Sequence, residues 1–177
     1  AIFKRKKIKE WLKNHKRKKE LQKNRKLALK KLSALKSANF PLKECSKEIQ
    51  TIFRSYLKVR FEKNFDSLTR MQIKSELDFF LTDSMTDSMT GFKEDSKLKD
   101  NQSIKVLKNN INDLFSKTDY YKYSNINFST YGKTEKKDNE LSLVSQKLAE
   151  EAIQIILQIE DFFTEQDAAK NAEVQNV

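Results

Sequence analysis

Few side chains in this sequence are of types that do covalent or metal chemistry, and their spacing limits what they can do. There is one cysteine, Cys45, and one histidine, His15. Cys45 has no His within a helical turn to draw off its proton, so nothing local makes it a nucleophilic thiolate. His15 stands beside Lys16 with no second ligand nearby and reads as solvent-facing. One Cys and one His cannot assemble an ordinary zinc site or an intrachain disulfide, which suits a reducing compartment. Carboxylates pair at Glu150-Glu151 and Glu160-Asp161, but adjacent residues on a helix point about 100° apart. They cannot converge on one substrate or one pair of metals and read as a solvated face. The tandem TDSM of residues 82–90 offers Asp83, Ser84, Asp87 and Ser88, loosely like a calcium loop. The acidic spacing and glycine position of an EF-hand are absent, so a solvated loop is the simpler reading. Two copies are also too few for a repeat architecture. With no convergent acid, base and nucleophile, the expectation is a non-enzymatic chain without cofactor, metal or small-molecule substrate.

Charge is the strongest signal. Residues 1–31 hold 15 Lys/Arg against two Glu, while the rest holds 21 basic and 23 acidic residues, so the net +11 belongs to one terminal segment. Lys4, Arg5, Lys6, Lys7, Lys16, Arg17, Lys18 and Lys19 are its densest clusters and the candidate contacts for a membrane surface or another polyanion. Ile2-Phe3 running at once into Lys4 reads as the cut end of a membrane span meeting a positive-inside flank. No apolar run of the roughly 18 residues needed to cross a bilayer occurs in the chain itself. Three readings of residues 4–31 follow: an anchor at an anionic leaflet, a solvated spacer helix, or a nonspecific nucleic-acid binder. The last lacks a stacking platform, since Phe3 and Trp11 are the segment's aromatics.

Two Gly and one Pro in 177 residues disfavour all-β folds and glycine-lined nucleotide sites. The periodicity predicts an all-α, five-helix bundle-like domain from which a long basic N-terminal helix extends. The predicted helices cover about 4–37, 42–63, 69–81, 102–117 and 139–166. Residues 1–20 are expected to be a solvated juxtamembrane stalk, 21–166 the domain, and 167–177 a frayed polar tail. Residues 82–100 and 124–139 are expected as loops. Pro41 ends the first helix by disfavouring the α conformation at Phe40. Ile49, Ile52, Phe53, Tyr56, Leu57 and Phe61 form the apolar stripe of the second. Thr69-Arg-Met-Gln72 is a capping box that opens the third, with Leu68 and Ile73 placed as a hydrophobic staple.

Arg54 and Arg60, beside the apolar stripe, are either contacts for a partner's acidic patch or intramolecular, for example with Asp119, their stems lying along the core. Asp119 with Tyr120, Tyr121 and Tyr123 is either a recognition surface or a cap on the turn after the fourth helix, with the rings filling the core edge. The acidic segment 135–177 could complement the basic first helix, although surface pairs of this kind add little each.

The pattern Ile49-x-x-Ile52-Phe53-Arg54-x-Tyr56-Leu57-x-x-Arg60-Phe61, followed by Leu68-Thr69 and Glu76-Leu77, resembles the cytoplasmic helical domain of Bat-type aerotolerance membrane proteins, BatD-like proteins and their short single-span relatives. Leu114-Phe115, Asp119 and Lys122-Tyr123 resemble that family's leucine pair, Asp and Lys-Phe-Ala ending. The resemblance covers about residues 25–165. Gln72 and Lys74 depart from it, standing where acidic residues are common, as does the inserted TDSM segment. It implies a domain on the cytoplasmic face of the inner membrane, and partners that include a MoxR-type AAA+ ATPase and von Willebrand factor A-domain proteins.

Overall fold

The computed structural model describes residues 2–38, 40–86, 94–124 and 135–175, with side chains described over 8–38, 40–81, 102–124, 139–165 and at 168. Among the described residues five helices follow one another: α1 (Ile2–Ser37), α2 (Leu42–Phe61), α3 (Arg70–Thr86), α4 (Glu94–Tyr123) and α5 (Glu135–Gln175). The protein is all-α, and no strand occurs among the described residues.

The fold is organised around α2. Its buried side includes Leu42, Cys45, Ile49, Ile52, Phe53, Tyr56, Leu57 and Phe61, wider than one stripe because α1, α4 and α5 all pack on it. Contacts along the helices give their directions. Gln50 meets Thr118 and Phe53 meets Phe115, so α2 and α4 are antiparallel. Cys45 meets Ser145 and Tyr56 meets Glu160, so α2 and α5 run the same way. Asn24 meets Tyr56 and Arg17 meets Val59, so α1 is antiparallel to both.

The turn after α2 folds back. Glu62 caps α2 in the left-handed region (φ 53°, ψ 30°), a conformation that costs a non-glycine residue about 1 kcal/mol. Asn64 Oδ1 then accepts from the Asp66 amide, and Arg54 Nη1 donates to the carbonyls of Phe65 (2.7 Å) and Leu68 (2.6 Å). The loop is thereby drawn back along α2, so α3 starts near the level of the middle of α2, runs in the same direction and packs on α4. Phe61 and Phe80 then pack together, and Lys63 pairs with Glu76. The capping box is formed: the Thr69 amide donates to Gln72 Oε1 at 2.8 Å and the Gln72 amide to Thr69 Oγ1 at 3.3 Å. Ile73 is buried and Leu68 half-buried against the core, the placement the staple requires.

Several boundaries differ from expectation. α3 continues through Thr86 and α4 starts at Glu94, so most of the expected 82–100 loop is helical; 87–93, with part of the TDSM repeat, lies outside the described residues. The side chains of Asp83 and Ser84, half of the loose calcium-like set, are also outside them. α4 runs six residues past the expected end at 117, and α5 passes the expected tail boundary to Gln175. No Gly or Pro interrupts either extension, so propensity alone opposes nothing there. Residues 125–134, expected as part of a polar loop, are outside the described set.

Phe53 is fully buried and its ring meets those of Tyr56 and Phe115. Phe53→Ala is therefore expected to destabilise the fold by about 3–5 kcal/mol, measured by denaturant unfolding. Removal of the exposed Tyr120 ring (Tyr120→Ser), which meets the Tyr121 ring edge to face, is expected to cost no more than about 1.5 kcal/mol.

Candidate functional site

The basic run divides at Arg17. Its side chain is 26% exposed, and its guanidinium donates to the carbonyls of Val59 (2.5 Å) and Arg60 (3.2 Å) at the end of α2. It also pairs with Glu62 at 2.9 Å. The last carbonyls of a helix have no partners within it and carry the negative end of its dipole, so a cation lodged there serves both needs. Packing of α1 on the body thus begins at Arg17, within the stretch expected to be a solvated stalk. Asn24 continues the line, donating to the Tyr56 carbonyl at 3.1 Å. Ala28, Leu32 and Leu35 complete it within the core.

The neighbours of Arg17 behave differently. Lys9, Lys13, Lys16, Lys18 and Lys19 are exposed and make no hydrogen bond or ion pair among the described residues. The side chains of Lys4, Arg5, Lys6 and Lys7 lie outside the described set. His15 is exposed, as expected, and stacks on Trp11 with ring centroids 5.3 Å apart and planes 8° from parallel.

The candidate docking residues on α2 are built into the interior. Tyr56 is buried and its hydroxyl donates to Glu160 Oε1 at 2.6 Å. Arg60 Nη1 lies 3.6 Å from Glu160 Oε2, both side chains nearly buried, and the guanidinium sits over the Phe163 ring at 4.0 Å. This triad ties α2 to α5. Burial pushes the Tyr56 phenol well above its ordinary value, and the adjacent Glu160 charge adds to the shift. Glu160, expected on a solvated face, is thus an interior carboxylate, whereas Glu150 and Glu151 pair with Lys36 and Lys117 at the surface. The hydrogen bond from Lys36 holds the Glu150 carboxyl below its usual range.

Arg54 does not pair with Asp119. Besides gripping the 62–69 loop, it lies over the Phe115 ring at 5.3 Å. Asp119 does not cap a following turn either, because α4 continues past it. Its Oδ1 accepts from Gln50 Nε2 at 2.6 Å, and the same amide donates to the buried Thr118 hydroxyl at 3.0 Å. Lys122 Nζ donates to Gln50 Oε1 at 3.4 Å and lies 4.8 Å from the Tyr123 ring centroid. Tyr121 is half-buried against the core, and Tyr123 is exposed. Gln50, which no expectation singled out, is therefore the polar hub between α2 and α4. Its signal was a single amide between Ser46 and Phe53 on a face otherwise spent on burial.

Around these residues lies a polar groove of about 500 Å³ bordered by Lys47, Arg54, Arg70 and Lys122 with Asp66 and Asp119. A second groove, of about 510 Å³, separates α4 from α5 over Val106, Leu107 and Phe162, with Asp161 and Glu165 at its edge. Cys45 is buried, its thiol 3.8 Å from the Ser145 carbonyl, and burial pushes that thiol up, away from thiolate formation. Among the described residues no three of His, Cys, Asp and Glu gather where they could hold a metal ion, and no helix is long and apolar enough to cross a membrane.

Comparison of the chain with protein-family models, with curated proteins and with solved structures finds no match. The likeness to Bat-type proteins rests on the motifs quoted above alone.

Two outcomes follow from this geometry. Tyr56→Phe removes the donor to an interior carboxylate and is expected to cost about 1–3 kcal/mol. In the parent protein the unfolded chain loses the Tyr56 proton above the ordinary phenol value of 10.0 while the folded chain keeps it. Stability therefore falls as pH rises past that value, by up to about 1.4 kcal/mol per pH unit from this group. Urea unfolding across the alkaline range should show a shallower decline in the Phe variant. Separately, Arg17→Ala is expected to lower stability by about 1–2 kcal/mol. Lys18→Ala, one residue on, should leave it within about 0.5 kcal/mol in the same assay.

Proposed function

We propose that this chain is a non-enzymatic, membrane-tethered interaction module whose basic first helix holds a helical domain against an anionic lipid surface. The supporting observation is the division of its cations. Lys9, Lys13, Lys16, Lys18 and Lys19 are exposed and unpaired among the described residues, whereas Arg17, Arg54 and Arg60 are taken up by the fold. A Lys or Arg near an anionic leaflet contributes about 1 kcal/mol, so a cluster of this size holds a small domain at the surface.

In the setting implied by the Bat-type resemblance, the surface is the inner membrane and the domain faces the cytoplasm. Its role there is scaffolding of an assembly with a MoxR-type AAA+ ATPase and von Willebrand factor A-domain proteins, in aerotolerance or chaperone-like assembly. The docking surface is the exposed side of α2–α4, where the groove of Lys47, Arg70 and Lys122 presents more positive than negative charge and fits an acidic segment of a partner. Nonspecific nucleic-acid binding through residues 4–31 draws on the same charge and is the competing function.

Co-sedimentation separates the two. The full chain is expected to bind vesicles of equimolar phosphatidylcholine and phosphatidylglycerol, more weakly as salt rises, and to bind pure phosphatidylcholine poorly. Replacing Lys16, Lys18 and Lys19 with Gln should weaken that binding roughly a hundredfold without changing the unfolding midpoint. Tighter binding to duplex DNA than to the anionic vesicles at matched salt would favour the nucleic-acid function instead.

A further inference from the structure

The exposed apolar residues of the body are scattered, but α1 concentrates them. Ile8 (57% exposed), Trp11 (63%) and Leu12 (52%) fall within five residues, and exposed His15 stacks on Trp11. Single exposed apolar side chains are ordinary on a protein surface; a contiguous group marks something that covers it. Positions 8, 11, 12 and 15 are spaced to share one side of a helix, within an arc of about 100°.

That side is not the one α1 uses to fold. Arg17, Ala28 and Leu32 mark the body-facing line, held by the end of α2 and the core. At about 100° per residue the stripe centres roughly 150° around the helix from that line. The domain therefore cannot cover the stripe by extending its own packing along α1. Its surroundings are basic. On the same count Lys16 and Lys18 border it on its two sides, with Lys19 one turn further on; all three are exposed and make no ion pair among the described residues.

An apolar stripe that carries a tryptophan and has lysines along its edges is complementary to one environment above others: the headgroup–acyl boundary of an anionic bilayer. Apolar side chains enter to about 5–10 Å, the indole sits at headgroup level, and lysine stems reach outward to phosphate. We infer that Ile8, Trp11, Leu12 and His15 insert into an anionic lipid surface and lay the first turns of α1 in the plane of the membrane. The inference rests on the membrane function proposed above and deepens it from electrostatic adhesion to shallow insertion. It also sets an orientation: the body-facing line points away from lipid, so the folded domain stands on the far side of α1 from the bilayer.

Trp11 is the chain's one tryptophan, so its fluorescence reports the stripe without a label. The full chain is titrated with vesicles of equimolar phosphatidylcholine and phosphatidylglycerol, with or without bromine on the upper acyl carbons. Insertion gives a blue shift, with quenching by the brominated lipid. Ile8→Ser with Leu12→Ser, which keeps the reporter, should weaken vesicle binding at least tenfold at high salt, where the charge contribution is screened. Leu143→Ser, an equally exposed change on α5, should not. Vesicle binding with a water-like Trp11 spectrum and no effect of the double variant would overturn the insertion while leaving electrostatic adhesion standing. No vesicle binding at all would remove both. A blue shift that grows with protein concentration in buffer, or that DNA produces and vesicles do not, would assign the stripe to a second copy or to nucleic acid and overturn the inference.

Discussion

The structure depends on how the open end of α2 is closed. A helix buried on three sides cannot leave its last carbonyls to water on the side where α1 packs on it, and among the described residues no backbone amide from a loop or another helix donates to the Val59 or Arg60 carbonyl. Arg17 supplies the donor from forty-two residues upstream. In doing so it fixes which side of α1 faces inward, because a guanidinium pointed at Val59 and Arg60 leaves the helix one rotational setting. Asn24 against the Tyr56 carbonyl, and Ala28 and Leu32 in the core, hold that setting along the helix. The outward side, with its lysines and apolar stripe, is a consequence of the same contact.

The interior polar groups act in the same sense on the other helices. Glu160 takes a hydrogen bond from Tyr56 on one oxygen and has the Arg60 charge beside the other, so each oxygen of a nearly buried carboxylate faces a partner. Such a set adds little net stability compared with a well-packed apolar core, but it is costly to break and penalises wrong registers of α5 on α2. Gln50 does the equivalent for α4, binding Thr118 and Asp119 at once. An all-helical domain with long, smoothly apolar faces has many near-equivalent registers, and these two polar contacts select one. Arg54 adds the third constraint by folding the loop after α2 back along it, which lets α3 turn back and pack on α4.

The sequence was most legible where structure is local. The α2 stripe, the Thr69–Gln72 box and the stop at Pro41 each follow from residues within a few positions of one another, and each is present. The ends of helices were less legible. Asp119 looked like a cap because an Asp after an apolar stretch usually is one; the Gln50 amide, 69 residues earlier in the chain, holds it inside a continuing helix. Glu160 looked like half of a solvated pair, since nothing near it in sequence announces Tyr56 or Arg60. Arg17 was hidden most completely, one cation among 15 in a run that reads as uniformly solvated. Its role follows from the position of a helix end that only the tertiary fold defines. Ile8, Trp11, Leu12 and His15 are spaced to share one side of α1, but which way that side faces is set by the same contact.

The account stands on the rotational setting of α1. It is tested most directly by a nitroxide scan, one label at a time from residue 8 to residue 28 in a Cys45→Ala background, with oxygen accessibility recorded on anionic vesicles. With Arg17 left in place because the setting depends on it, the expected profile has a helical period, with oxygen access highest at 8, 11, 12 and 15 and immobile, inaccessible labels at 21, 24 and 28, the two sets roughly opposite in phase. A profile in which both sets share one phase, or in which residues 8–15 show no period at all, would contradict it.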